Sequence, residues 1–313
     1  VRELKNSSYP QIKGLEFSLF QEQLDFLQKN YHFIKMEELI YSYENKIALP
    51  EKSVILTFDD GYSDHFKYVF PELQKRGIEG SFYVPGQPVK ENTLLDVNKI
   101  HYILATAKND EQLIQKSMEQ LNLHRDEYNL ESFDYYFSKL GTANRFDSSE
   151  VTYFKRLLQK ELPVQLRNKM TSALFEEFVG MSEQEFSKEL YMNTAELKEM
   201  ISNGMHIGHH GYTHCWLNSI SEDDQRIEIE KGCSFLKELG INMDLLTICY
   251  PYGAYSESVI NLLKEFKFKL GFTSRVDLAD PLFDNCFEIP RLDTNDIPKS
   301  GVAVPNHWYE AIA

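Results

Sequence analysis

The chain has 313 residues, 42% hydrophobic and 26% charged, which allows one or two soluble globular domains with a sizeable core. Acidic residues outnumber basic ones 48 to 33, a formal charge of −15. No Lys/Arg stripe accompanies that balance, so it argues against nucleic acid as a partner. No run approaches the ~18 apolar residues of a membrane-spanning helix.

In chain order, an amphipathic helix is expected from Ser18 to Asn30, with Ser18 and Gln21 as a capping box and Phe20, Leu24 and Leu27 on one face. Phe33-Ile34 reads as a short strand and Met36–Tyr43 as a helix. Val54–Phe58 reads as one buried strand, followed by a helix from about Asp64 to Arg76 that Gly77 stops. Ser81–Val84 is the next strand. After residue 190 the alternation resumes. Asn193–Asn203 is a helix ended by Gly204, and Met205–Gly208 is a strand. Ser221 caps a helix running to Gly240, Leu245–Tyr250 is a strand, and Ser256 caps a further helix. Lys269–Thr273 and Phe287–Ile289 are the last strands.

This alternation implies parallel strands with helices packed outside, and a barrel of that kind gathers the residues after its strands at one face. The stretch from about Asp96 to Leu190 breaks the rhythm. Glu111–Leu121, Glu131–Leu140, Ser148–Glu161 and Ser182–Leu190 all carry helical spacing. The expected organisation is therefore a barrel in two parts, residues 1–95 and 191–313, around a helical insertion over 96–190. The insertion is read either as an appendage without chemistry or as a wall of the substrate pocket.

Cys215, Cys233, Cys249 and Cys286 form no C-x-x-C pair and read as reduced thiols. No signal-peptide pattern opens the sequence, so a cytoplasmic protein is expected. The first residue is Val1 rather than Met, which leaves room for a leader or a first strand ahead of it. The sequence sets no oligomeric state.

Four of the nine histidines, His206, His209, His210 and His214, lie within nine residues. His210 and His214 are four apart, a spacing that aims two imidazoles at one point on a helical turn or in a tight turn after a strand. Strand alternation turns His206 away from His209. The second cluster is Thr57-Phe58-Asp59-Asp60-Gly61-Tyr62-Ser63-Asp64. Asp64 reads as a helix cap. Asp59 and Asp60 are adjacent carboxylates at the end of a buried strand, an arrangement that calls for a compensating cation or proton. One carboxylate and two imidazoles with open positions suit a catalytic divalent metal, and the other carboxylate is then free to act as a base.

Together, Thr57–Asp64 and His210–His214 resemble the first two motifs of the polysaccharide deacetylase family (the NodB-homology domain, carbohydrate esterase family 4). Cys249-Tyr250-Pro251-Tyr252-Gly253-Ala254-Tyr255 resembles that family's proline–tyrosine–glycine motif, and Phe17–Leu39 resembles the opening region of members associated with bacterial surface polysaccharides. The resemblance covers residues 15–90 and 193–293. It implies a distorted (β/α) barrel with fewer than eight strands. It also implies hydrolysis of an N-acyl group, in the first place acetyl, on an amino sugar of a polysaccharide or its precursor. Asp60, His210 and His214 would hold one divalent metal, zinc before cobalt, nickel or manganese. Asp59 would be the base, and the backbone N–H of Tyr252 would help hold the oxyanion.

The sequence departs from the family pattern in three places. Cys249 stands where many members carry the arginine that orients the base. Arg291, in Ile289-Pro290-Arg291-Leu292-Asp293, follows a late strand and is read either as its substitute or as a surface ion-pair residue. The family's late histidine, a general acid in a Leu-x-His motif, has no clear match. His307 is a candidate or a tail residue packed by Trp308, and His209 replaces a common serine. Two rival functions follow, a non-catalytic carbohydrate-binding descendant and a barrel metallo-phosphodiesterase. The latter needs further metal-binding carboxylates and phosphate-binding bases.

Overall fold

Parallel pairing organises the strands. In the computed structural model, which describes residues 1–144 and 147–310, β1 (His32–Phe33) pairs with β2 (Ser53–Val54). A second sheet runs β3 (Leu56–Asp59), β4 (Gly80–Val84), β5 (His206–His209), β6 (Thr247–Cys249) and β7 (Leu270–Phe272), in chain order and all parallel. With helices around it, this is the expected distorted (β/α) barrel. Residues 145–146 and 311–313, inside the second and third segments expected from sequence, lie outside the described residues.

The strands obey a period of two. Phe58, Phe82, Val84, Ile207 and Ile248 face outward and join one core with Leu73, Leu197, Leu236 and Leu263 of the surrounding helices. Each such fully buried side chain contributes about 1.5–3 kcal/mol of transfer free energy. Tyr83, Cys249, Leu270 and Phe272 face the other way and pack with Met36, Leu39 and Ile40 of helix Met36–Asn45. His206 and His209 separate as alternation requires. His206 Nε2 lies 2.8 Å from Thr247 Oγ1, whereas the His209 ring sits edge-on to Phe268 at 5.5 Å and against Gly232.

Several boundaries differ from expectation. The first helix is Phe17–Asn30 and has no side-chain cap, because Glu16 is held extended by its parallel bridge to Arg2. Val54–Phe58 is two strands, not one, since the chain changes partner at Ile55. An unbroken apolar run carries no mark of such a switch. Residues Met243–Leu245 form a 3₁₀ turn, so the strand expected from Leu245 starts at Thr247. Of Phe287–Ile289 only Ile289 bridges to Phe272, because a turn at Asn285–Glu288 precedes it.

By contact the chain forms two compact units, one of Val1–Glu3, Gly14–Asn92 and Lys188–Ala313, the other of Leu4–Lys13 and Thr93–Ser187. The first holds the sheet. The second is helical, with Asp96–Thr106, Asp110–Tyr128, Phe133–Leu140, Ser149–Arg156 and Val164–Val179 built around Ile100, Leu121, Phe154, Leu166 and Phe175. Asn109, Ser132 and Ser148 cap three of these helices by accepting a backbone N–H. No helix among the described residues is long and apolar enough to cross a membrane.

Candidate active site

The strand register brings the polar motifs to one edge. Asp59 aligns with Tyr83 and Tyr83 with Gly208, so Asp59, Asp60, His210 and the turn after Cys249 all emerge at the C-terminal end of the sheet. Asp60 and Gly61 are both left-handed, at φ 75° and 68°. Glycine is required at Gly61, where a Cβ would also lie 2.8 Å from Val84 Cγ1. This turn aims the adjacent carboxylates at different partners.

Asp60 meets the histidines. Its Oδ1 lies 3.3 Å from His210 Nε2 and 3.3 Å from His214 Nε2, while Tyr62 Oη donates to Oδ2 at 2.8 Å. His210 Nδ1 is 2.7 Å from the Cys249 carbonyl oxygen, which can only accept, so Nδ1 carries the proton and Nε2 faces Asp60. The His-x-x-x-His spacing is a tight turn after a strand, not a helix, with Gly211 at φ 69° and His214 at φ 59°. Glu228, on helix Glu222–Leu239, clamps this turn by accepting from Tyr212 N, Thr213 N and Thr213 Oγ1, each at 2.9 Å. Burial opposes ionisation of Asp60, but hydrogen bonds from His210 and His214 outweigh it and hold the carboxyl well below its usual range. His210 is pushed well above its ordinary value; burial works against this, and the bond to Asp60 prevails.

One carboxylate oxygen and two imidazole nitrogens, all within 4.8 Å of one another, form the group suited to a cation among the described residues. Bond lengths of about 2.0–2.2 Å to zinc leave tetrahedral ligand atoms roughly 3.3–3.6 Å apart, the spacing of Asp60 Oδ1 from each imidazole. The chemistry of the donor set, one carboxylate oxygen and two imidazole nitrogens, fits a divalent metal.

Asp59 has a different partner. Arg291 Nη1 donates to Oδ1 at 3.0 Å and Nη2 to Oδ2 at 2.8 Å. The guanidinium is itself fixed, Nε by the Thr273 carbonyl at 3.0 Å and Nη1 by Thr57 Oγ1 at 3.1 Å. Arg291 thus reaches the carboxylate of Asp59 from its place after the late strand. Buried Cys249 donates its thiol to Asp59 Oδ2 at 3.2 Å. Burial would raise the Asp59 pKa, but the Arg291 charge overrides it and lowers the pKa.

Tyr252 sits in the turn after β6 at φ 58°, a left-handed conformation unusual for a tyrosine. Its ring meets His214 edge-on at 4.7 Å and stacks on Trp216 at 4.4 Å, with 3° between planes. Other sequence candidates are elsewhere. His209 packs behind the sheet, and His307 is an exposed tail residue with its ring 4.7 Å from Trp308. Sequence reasoning missed Tyr62 and Glu228. Tyr62 stands two residues past Asp60 in the same turn, and Glu228 is an acid on the buried face of an amphipathic helix, which is a legible signal.

The model of the family described as polysaccharide deacetylase matches residues 46–124 and 166–271, more than half of the chain. The chain is similar in structure to IcaB from Ammonifex degensii, with a TM-score of 0.53 and 18% identity, covering 99% of this chain and 92% of that one. It is likewise similar to the Streptococcus pyogenes deacetylase PplD, solved in complex with acetate, at a TM-score of 0.53 and 18% identity, covering 91% and 85%. At that identity the likeness carries the fold. In sequence, 58 residues are 40% identical to the poly-beta-1,6-N-acetyl-D-glucosamine N-deacetylase of Escherichia coli K12. That match covers 18% of this chain and 9% of the length of that curated relative.

Proposed function

We propose, from the premise that the chain belongs to the polysaccharide deacetylase family, that it hydrolyses the N-acetyl group of an amino sugar in a polysaccharide or its precursor, with Asp59 as base. The observation that supports this most is the pairing of two neighbouring carboxylates with two different partner sets. Asp60 faces His210 and His214, while Asp59 is gripped by Arg291.

Asp60, His210 and His214 would hold the metal, zinc first on the character of its N and O donors. When bound, such a cation polarises the acyl carbonyl and makes water acidic enough to attack near neutral pH. Asp59 takes the proton as water's oxygen bonds to the acyl carbon. Arg291 keeps that carboxylate ionised and fixed in plane. The Tyr252 N–H donates to the carbonyl oxygen as it gains charge, a contribution of about 3–4 kcal/mol for one such donor. When the C–N bond breaks, Asp59 returns its proton to the nitrogen, giving acetic acid and an amine, which exchange a proton to leave acetate and an ammonium on the sugar. This assigns acid and base to one carboxylate, so His307 and His209 are not needed.

Against the phosphodiesterase reading, one cation-suited cluster rather than two occurs among the described residues. The test is acetate release from N-acetylglucosamine oligomers by zinc-loaded wild type and Asp59→Asn. The variant should bind the metal as wild type does and lose 10²–10⁴-fold in turnover. Wild-type turnover in Asp59→Asn removes the base assignment, and no acetate from metal-loaded wild type favours the non-catalytic reading.

A further inference from the structure

Trp216 is one of two tryptophans in the chain, and 36% of its surface stays open to solvent. Isolated exposed apolar residues are common and need no function. Trp216 differs in how it is held. It lies two residues past His214, and Tyr252 covers one face of its indole at 4.4 Å with the rings 3° from parallel. Tyr252 is fixed in turn, by a left-handed backbone and by edge contact with His214 at 4.7 Å. The indole is thus an aromatic surface locked in orientation, two ring spacings from a proposed metal ligand. Immobilising a side chain on binding costs free energy, and this stack has met much of that cost before any ligand arrives.

Aromatic faces are electron-rich and attract the partly positive C–H groups that a pyranose presents on its flat sides. They also attract cations, indole most strongly, and deacetylation leaves an ammonium on the sugar. A polyanionic glycan is disfavoured by the formal charge of −15. We infer that Trp216, backed by Tyr252, is the platform on which the pyranose next to the reacting sugar lies, whether acetylated or already carrying an amine. Trp216 is then a substrate-positioning residue that selects oligomers over monosaccharides. This rests on the deacetylase reading above.

The test uses the full chain carrying Trp308→Phe, so that Trp216 is the remaining tryptophan. N-acetylglucosamine oligomers of one to five sugars are titrated while its emission is followed, and kinetics are measured for Trp216→Ala and Trp216→Phe. Expected are an emission change with oligomers but not the monosaccharide, a KM for the pentamer about tenfold higher in Trp216→Ala with kcat within twofold, and recovery of most of that loss in Trp216→Phe. An unchanged KM in a turning-over Trp216→Ala, or emission indifferent to an oligomer that the enzyme deacetylates, overturns the platform and leaves the deacetylase reading intact. Emission that responds to oligomers without acetate release keeps the platform and overturns deacetylation. Neither signal overturns both. Should Trp216→Ala fail to fold by circular dichroism, the emission titration and Trp216→Phe decide.

Discussion

Arg291 grips both carboxylate oxygens of Asp59, at 3.0 and 2.8 Å, from a position 232 residues further along the chain. The fork-to-fork arrangement fixes the plane of the carboxylate as well as its charge. Cys249 contributes a thiol to the same oxygen as Nη2, at 3.2 Å. The cationic partner of Asp59 therefore comes from the segment after β7, while Cys249 beside it is a small, neutral, buried side chain.

Replacing Arg291 by Ala should lower kcat/KM by about 10–100-fold, on the scale of lost orienting partners. The replacement should also move the acid limb of the pH profile. The guanidinium lowers the Asp59 pKa. Its removal lets burial raise that pKa, so the active carboxylate is lost at a higher pH than in wild type. Arg291→Lys should recover charge but not the bidentate grip, giving an intermediate limb and little recovery of rate. An acid limb that stays in place in Arg291→Ala would show that Asp59 is not the group titrating in it.

Tyr62 should tune metal affinity. Its hydroxyl donates to Asp60 Oδ2 at 2.8 Å, leaving Oδ1 towards the two imidazoles. Tyr62→Phe frees the carboxylate to rotate. Chelator competition should show zinc affinity lower by about 10-fold, within the 10–100-fold range for groups that orient metal ligands. Equal affinity in wild type and Tyr62→Phe would reduce the hydroxyl to a bystander.

Much of this site was legible in the sequence because strand ends carry polar residues that a buried strand otherwise lacks. Asp59-Asp60 and His210/His214 announce themselves in that way. Arg291 was readable only as one of two alternatives, because its significance depends on a contact across 232 residues that no local pattern encodes. Among the strands, Ser81–Val84 is readable from its apolar run, one residue short of the observed Gly80–Val84, whereas the split at Ile55 is not, since the run is apolar on both sides of it and only the pairing partner changes. The cap on the first helix went astray for a similar reason. Ser18 has good local chemistry, yet a long-range bridge from Arg2 to Glu16 sets where the helix begins.

Gly208 should be intolerant of a side chain, for a reason beneath the site. A Cβ there would sit 2.4 Å from Tyr83 Cε1 and 3.0 Å from Thr247 Oγ1. Tyr83 is fully buried and its hydroxyl lies 3.1 Å from Thr247 Oγ1, so the ring has no free direction to yield. Gly208→Ala should cost about 1–3 kcal/mol, the range for overpacking a filled core. Urea unfolding monitored by circular dichroism measures it directly, and a stability loss under about 0.5 kcal/mol, the usual range for surface substitutions, would mean the interior can relax.

Glu228 should matter to the metal without touching it. Its carboxylate satisfies two backbone N–H groups and one hydroxyl in the turn that carries His214. The residue is buried, so its loss leaves those donors short of partners, at about 1–3 kcal/mol for each group left unsatisfied. Glu228→Ala should lower both the melting temperature and the zinc affinity, because the turn that aims His214 loses its anchor. Glu228→Gln retains one acceptor oxygen and should fall between the two. The two readouts separate the roles: a lower melting temperature with unchanged zinc affinity would make Glu228 a brace for the helix alone, and His214 would then owe its position to Gly211 and Tyr252 instead.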